Sequence, residues 1–182
     1  MKPLKWMLLI SLMVMTLSGC DYPDEVRLFF TETDEQTIPY KRGEIVRFID
    51  EQGNAATLTV SEDAKTWMKD EEGFTCFRWQ HRNVRLSSEQ SDLQFDVEIE
   101  SVHRYDSPNV YVQTSSGDVF RVYYNIMGLL ETQDSLEINR HVYYDVAVVK
   151  DSRGKGSQLC YNTEYGILQV TQDDKNIFTL VP

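Results

Sequence analysis

In the stretch "LQFDVEIESV", Leu93, Phe95, Val97 and Ile99 alternate with Gln94, Asp96, Glu98 and Glu100. Successive side chains of a strand point to opposite faces, so this period of two predicts a strand with one buried face. In "HVYYDVAVVK", Val142, Tyr144, Val146 and Val148 alternate with Tyr143, Asp145, Ala147 and Val149. Both sets are largely apolar, which predicts a strand inside a sheet. The adjacent pairs Tyr123-Tyr124 and Tyr143-Tyr144 put one ring on each face. Core and cross-strand packing is their expected role.

From Val26 onward, short runs of β-branched and aromatic residues are separated by polar turns, the pattern of an antiparallel all-β domain. Three segments share a strand-turn-strand layout: "VRFIDEQGNAATLTV" from Val46, "VYVQTSSGDVFRVYY" from Val110 and "ILQVTQDDKNIFTLV" from Ile167. Each places Gly, Asp or Asn between apolar runs and predicts a hairpin. The expected fold is a meander of hairpins, arranged either as a sandwich or as an open half-barrel. Helix is scarce. "SEDAKTWMKDEEG" predicts one short helix with Ser61 as its cap, Gly73 as its stop and Trp67 and Met68 turned inward. "NIMGLLETQDSLE" holds Gly128 and no sustained helical period, and predicts a loop with at most one turn.

The first twenty residues are of another kind. Lys2 and Lys5 precede an apolar stretch from Trp6 to Leu17, followed by the small residues Ser18 and Gly19. That is the layout of a secretory signal, and the stretch falls short of the roughly 20 apolar residues a membrane span needs. Leu17-Ser18-Gly19-Cys20 resembles the bacterial lipobox. The resemblance implies a diacylglyceryl thioether on Cys20, cleavage just before it and acylation of the new amine. Each buried CH₂ of an acyl chain contributes about 0.8 kcal/mol, so two or three chains hold a protein durably on a bilayer. The expected organisation is a signal peptide over 1–19, a lipid-attached tether over 20–25 and an antiparallel β domain over 26–182. Asp21, Asp24 and Glu25 resemble the acidic segment that follows the cysteine in surface lipoproteins of the Bacteroidota. In enteric bacteria an aspartate directly after the cysteine marks inner-membrane retention. The resemblance places the chain in the cell envelope, at the outer membrane ahead of the inner.

Composition narrows the partners. The chain carries 18 basic and 29 acidic side chains, and loss of Lys2 and Lys5 with the signal takes its formal charge from −11 to −13. Nucleic acid and anionic headgroups bind through basic patches and are poor partners for such a surface. The 163 residues left after cleavage are enough for one domain burying about 70% of its unfolded surface. With Cys20 assigned to lipid, Cys76 and Cys160 remain, either joined in a disulfide or as two separate buried thiols.

Candidate chemistry is sparse. His81, His103 and His141 lie far apart in sequence, with no HExxH and no Cys/His metal spacing. Cys76 and His81 are five apart, which on one strand puts them on opposite faces. Asp70, Glu71 and Glu72 lack the spaced oxygens of a calcium loop. No metal, cofactor or catalytic residue is expected. Asp134-Ser135-Leu136 is similar to the acceptor triplet for O-linked glycans in exported Bacteroidota proteins and marks Ser135 as a candidate.

The end of the chain, "CYNTEYGILQVTQDDKNIFTLV", resembles a stretch of poorly characterised bacterial lipoproteins through Tyr161, Tyr165, Gly166, Ile167 and Leu168. Some such families fold as a half-barrel around an apolar cavity that carries or senses lipid. The expectation is therefore a lipid-anchored, non-enzymatic binding or structural module that meets the membrane through its lipid. A half-barrel holding a lipid or other apolar ligand is the second reading, and a hydrolase with a convergent site the third.

Overall fold

In the computed structural model, residues 24–72, 75–101, 109–123, 132–154, 156–172 and 176–182 are described. The expected signal peptide over 1–19, Cys20, His103 and Tyr124 lie outside them. Twelve strands and one short helix follow in order: β1 (Asp24–Leu28), α1 (Glu32–Gln36), β2 (Ile45–Asp50), β3 (Ala55–Glu72), β4 (Thr75–Ser87), β5 (Gln94–Glu100), β6 (Asn109–Thr114), β7 (Val119–Tyr123), β8 (Thr132–Ile138), β9 (His141–Lys150), β10 (Gln158–Asn162), β11 (Gly166–Gln172) and β12 (Asn176–Leu180). The sheet runs β7-β6-β5-β4-β3-β2-β12-β11-β10-β9-β8, with β1 added on β4. The chain thus makes two meanders, β2 to β7 and β8 to β12, joined where β12 pairs antiparallel with β2. The three hairpins expected at Val46, Val110 and Ile167 are β2–β3, β6–β7 and β11–β12.

The described residues fall into two compact units, the smaller one those of 24–27, 69–72 and 75–78 and the larger one all the others. In the smaller, Glu25 lies between Arg27 and Arg78, at 3.0 and 2.9 Å. In the larger, the first meander alternates cleanly. Val46, Phe48, Leu58, Val60, Val84, Leu86, Phe95, Val97, Ile99, Val110, Val112, Phe120 and Val122 are buried on one face. A flat sheet would hold β2 and β5 about 14 Å apart, three strand spacings. The Phe48 and Phe95 ring centroids are 5.5 Å apart, so the sheet curls on itself and its inner face is its own core. β7, at one end of the strand path, meets the turn between β9 and β10. Ser152 N donates to Val119 O (2.9 Å), and Val119 N donates to Asp151 Oδ1 (2.8 Å).

Four expectations are corrected. The segment from Ser61 to Glu72 is no helix but the outer part of β3, and Trp67 and Met68 are exposed. Cross-strand partners override its weak helical tendency: Asp63 pairs with Arg82, Glu62 with Arg85, and the Ser61 and Ser87 hydroxyls bond at 3.0 Å. The only helix among the described residues is α1, started by a reciprocal cap between Thr31 and Asp34. Within the expected loop, Thr132 to Glu137 belong to β8, whose sequence hides its strand because it ends the sheet path and is almost wholly exposed. In β9 the alternation breaks at Asp145, which takes φ 52°. Tyr143 is buried ahead of it, Val146 and Ala147 are buried after it, and Val142 and Tyr144 face solvent. Finally, Cys160 is a free buried thiol packed in the core of the larger unit, so it is not joined to Cys76 of the smaller. Cys76 is disulfide-bonded in this structure, and with Cys160 free among three cysteines, that bond and a thioether on Cys20 are alternatives.

Candidate functional site

The most concentrated chemistry in the larger unit surrounds the chain segment that leaves α1. Arg82 has the inward parity of Val84 and Leu86 on β4, and is 7% exposed. Its Nε and Nη2 donate to the two oxygens of Asp63 on β3, at 2.8 and 3.1 Å. Nη1 donates to the carbonyls of Ile38 (3.1 Å) and Glu35 (3.3 Å), and Nη2 also to that of Tyr40 (2.7 Å). A guanidinium has five N–H donors, and all five are used. Arg82 therefore clamps the segment and keeps no donor for a ligand anion.

Two tyrosine hydroxyls tie the same segment to the other meander. Tyr161 Oη on β10 donates to Thr37 O (2.7 Å), and the Ile167 amide on β11 donates to Tyr40 Oη (2.6 Å). Burial pushes the Tyr40 phenol far above its ordinary pKa, so it remains neutral. Ile38 and Tyr40 are themselves buried, and the segment closes over the core as a strap.

A cleft of about 550 Å³ opens beside this strap, lined among others by Glu32, Glu35, Lys41, Asp63, Lys65 and Arg82. Its charges answer one another: Lys65 Nζ donates to Glu35 at 2.6 Å and Asp63 is held by Arg82. A second cleft, about 420 Å³, lies on the other side of Tyr40 between Glu44, Arg47, Tyr165 and the chain end. Neither brings together a nucleophile, a base and an oxyanion donor.

The sequence candidates are dispersed. His81 on β4 has its Nε2 3.6 Å from a Glu98 oxygen. His141 opens β9 and packs on Tyr143 (centroids 4.5 Å), which meets Tyr165 edge-on at 5.5 Å. Burial raises the Tyr143 pKa, and Glu164 raises that of Tyr165 by accepting its hydrogen bond. β4 is continuous from Thr75 to Ser87, so positions 76 and 81 project to opposite faces. Ser135 is exposed on β8, opposite Tyr144. Among the described residues no cluster of three or more His, Cys, Asp or Glu is placed to hold a metal.

Sequence reasoning missed Arg82, Asp63 and Tyr40. One signal was available: in "FRWQHRNVRLS" a cation stands at an inward position of an alternating strand, which demands a buried partner. Comparison with protein-family models, curated proteins and solved structures found no match.

Proposed function

We propose that this chain is a cell-envelope lipoprotein, held to a membrane through a thioether on Cys20, and that its β domain is a non-catalytic binding or structural module. The observation that carries the reading is Leu17-Ser18-Gly19-Cys20 at the end of a short apolar segment with basic residues before it. The module reading draws support from the strap: its cation and its carboxylate satisfy each other and the backbone, and have a structural use. A carrier of apolar ligands needs an empty interior, whereas Phe48, Phe95 and Phe120 fill the inner face of the sheet with no exposure. The outer membrane, on its periplasmic or surface face, is the proposed location.

The test is a Cys20→Ala variant expressed beside the natural sequence in a bacterium fed labelled palmitate. The natural chain takes the label and sediments with membranes, and the variant does neither. Equal labelling of both refutes the thioether. A fully processed natural chain without lipid refutes the anchor.

A further inference from the structure

We infer that Phe29 and Trp67 on one face of the outer part of β3, with Met68 on the other, seat the anchored domain at the uncharged apolar-polar boundary of the bilayer that holds it. Phe29 follows β1, and its ring meets Trp67 edge-on with centroids 5.2 Å apart. The two rings and the neighbouring Met68 are 59%, 46% and 44% exposed. Adjacent strand residues point to opposite faces, so exposure of both Trp67 and Met68 leaves both faces of β3 open there. Buried aromatic pairs serve a core, whereas this one presents its area to solvent.

The inference rests on the proposed anchor, and chain length then selects the occupant. Phe29 is nine residues beyond Cys20. Nine residues span at most about 32 Å, so an anchored chain cannot carry the patch far from the lipid. Asp24–Leu28 of that span are held in β1, and the short remainder turns a weak surface contact into an intramolecular one with a high effective concentration. Trp is enriched at membrane interfaces, where its amphipathic ring sits at the headgroup level, and a neighbouring Phe adds apolar area to bury there. The acidic balance of the chain, formally −11 before processing, disfavours anionic lipid and favours an uncharged apolar contact.

Brominated phosphatidylcholine vesicles carrying the full lipidated protein test this. The mature chain holds two tryptophans, Trp67 and Trp79, and a Trp67→Phe variant isolates the signal of each. The expected result is loss and blue shift of Trp67 emission in brominated vesicles, reversed in a Phe29→Ser/Met68→Ser variant. Those two side chains are exposed, so the variant keeps the fold, which circular dichroism checks. Mass of the N-terminal peptide is read on the same sample. A lipid-bearing peptide with unquenched Trp67 overturns the patch and leaves the anchor standing. A peptide without lipid overturns the anchor, and the patch with it. A blue shift that grows with protein concentration in the absence of vesicles assigns the patch to a second copy of the chain and overturns the membrane reading.

Discussion

Tyr40 occupies the space that a side chain on Gly166 would need: a Cβ built there falls onto the phenol ring and its hydroxyl. Gly166 also has φ +77°, and the amide of the next residue, Ile167, donates to that same hydroxyl. Glycine at this turn thus does two things, taking a left-handed backbone and letting the strap approach the start of β11.

Gly166→Ala combines a left-handed penalty of about 1–2 kcal/mol with an overlap worth about 1–3 kcal/mol. The expected loss of stability is about 2–5 kcal/mol, read as a fall in the urea midpoint. Tyr40→Phe keeps the ring but leaves the buried Ile167 amide without its acceptor, at about 1–3 kcal/mol. A Gly166→Ala variant as stable as the natural chain would show that the strap does not sit against the turn.

Arg82 is fastened to both Asp63 and three carbonyls, so the two ends of the ion pair are unequal. Arg82→Ala strips Asp63 and the strap together, and truncating one side of a buried pair costs about 3–5 kcal/mol. Asp63→Ala leaves the three carbonyls in place, and Asp63 is the more open partner, at 22% against 8%. Its expected cost is smaller. A double-mutant cycle in urea should give a coupling of about 0.5–3 kcal/mol. Zero coupling would mean that the carbonyls alone hold the guanidinium.

The turn between β2 and β3 supplies a pH-dependent term. Asp50 accepts from the Asn54 side chain (2.8 Å) and from the amides of Gln52 (2.9 Å) and Asn54 (2.7 Å), and the side-chain bond leads in holding its pKa below the ordinary value. A carboxylate with a lowered folded pKa stabilises fully above its unfolded pKa, near 3.9, and loses that contribution as pH falls through the folded value. Urea midpoints measured from pH 7 down to pH 2 should therefore fall more steeply below about pH 4 in the natural chain than in Asp50→Asn. Parallel curves would remove Asp50 from the acid limb.

The first meander was legible because each of its inner strands keeps one face apolar: Phe95, Val97 and Ile99 announce β5 with no help from neighbours. The outer part of β3 was not. Its residues from Ser61 onward have local features of a capped helix, and only the partners on β4, distant in sequence, make it a strand. β8 failed for the opposite reason, since an exposed end strand needs no apolar face and so writes none. Gly166 stood out in the sequence through the resemblance of the chain's end, and the reason for its smallness, Tyr40, stands 126 positions earlier and is visible only once the strap is in place. The strap itself is a tertiary object: its anchors are main-chain carbonyls, which carry no residue signature.

The sulfur chemistry gives the last prediction. The chain has three cysteines. Cys160 is a buried free thiol whose pKa is raised by burial, so it reacts slowly with a thiol reagent until the domain unfolds. An intrachain disulfide at Cys76 and a thioether at Cys20 compete for one sulfur, because Cys160 takes no part in either. Alkylation of the mature native protein in denaturant without reductant separates the two states. A lipidated chain should yield two alkylated cysteines, Cys76 and Cys160, each identified by peptide mass. A single alkylated cysteine at Cys160, with the N-terminal peptide linked to the Cys76 peptide until reductant is added, means that the first sulfur is spent in a disulfide. In that outcome the proposed thioether is gone, and with it the proposed membrane anchor.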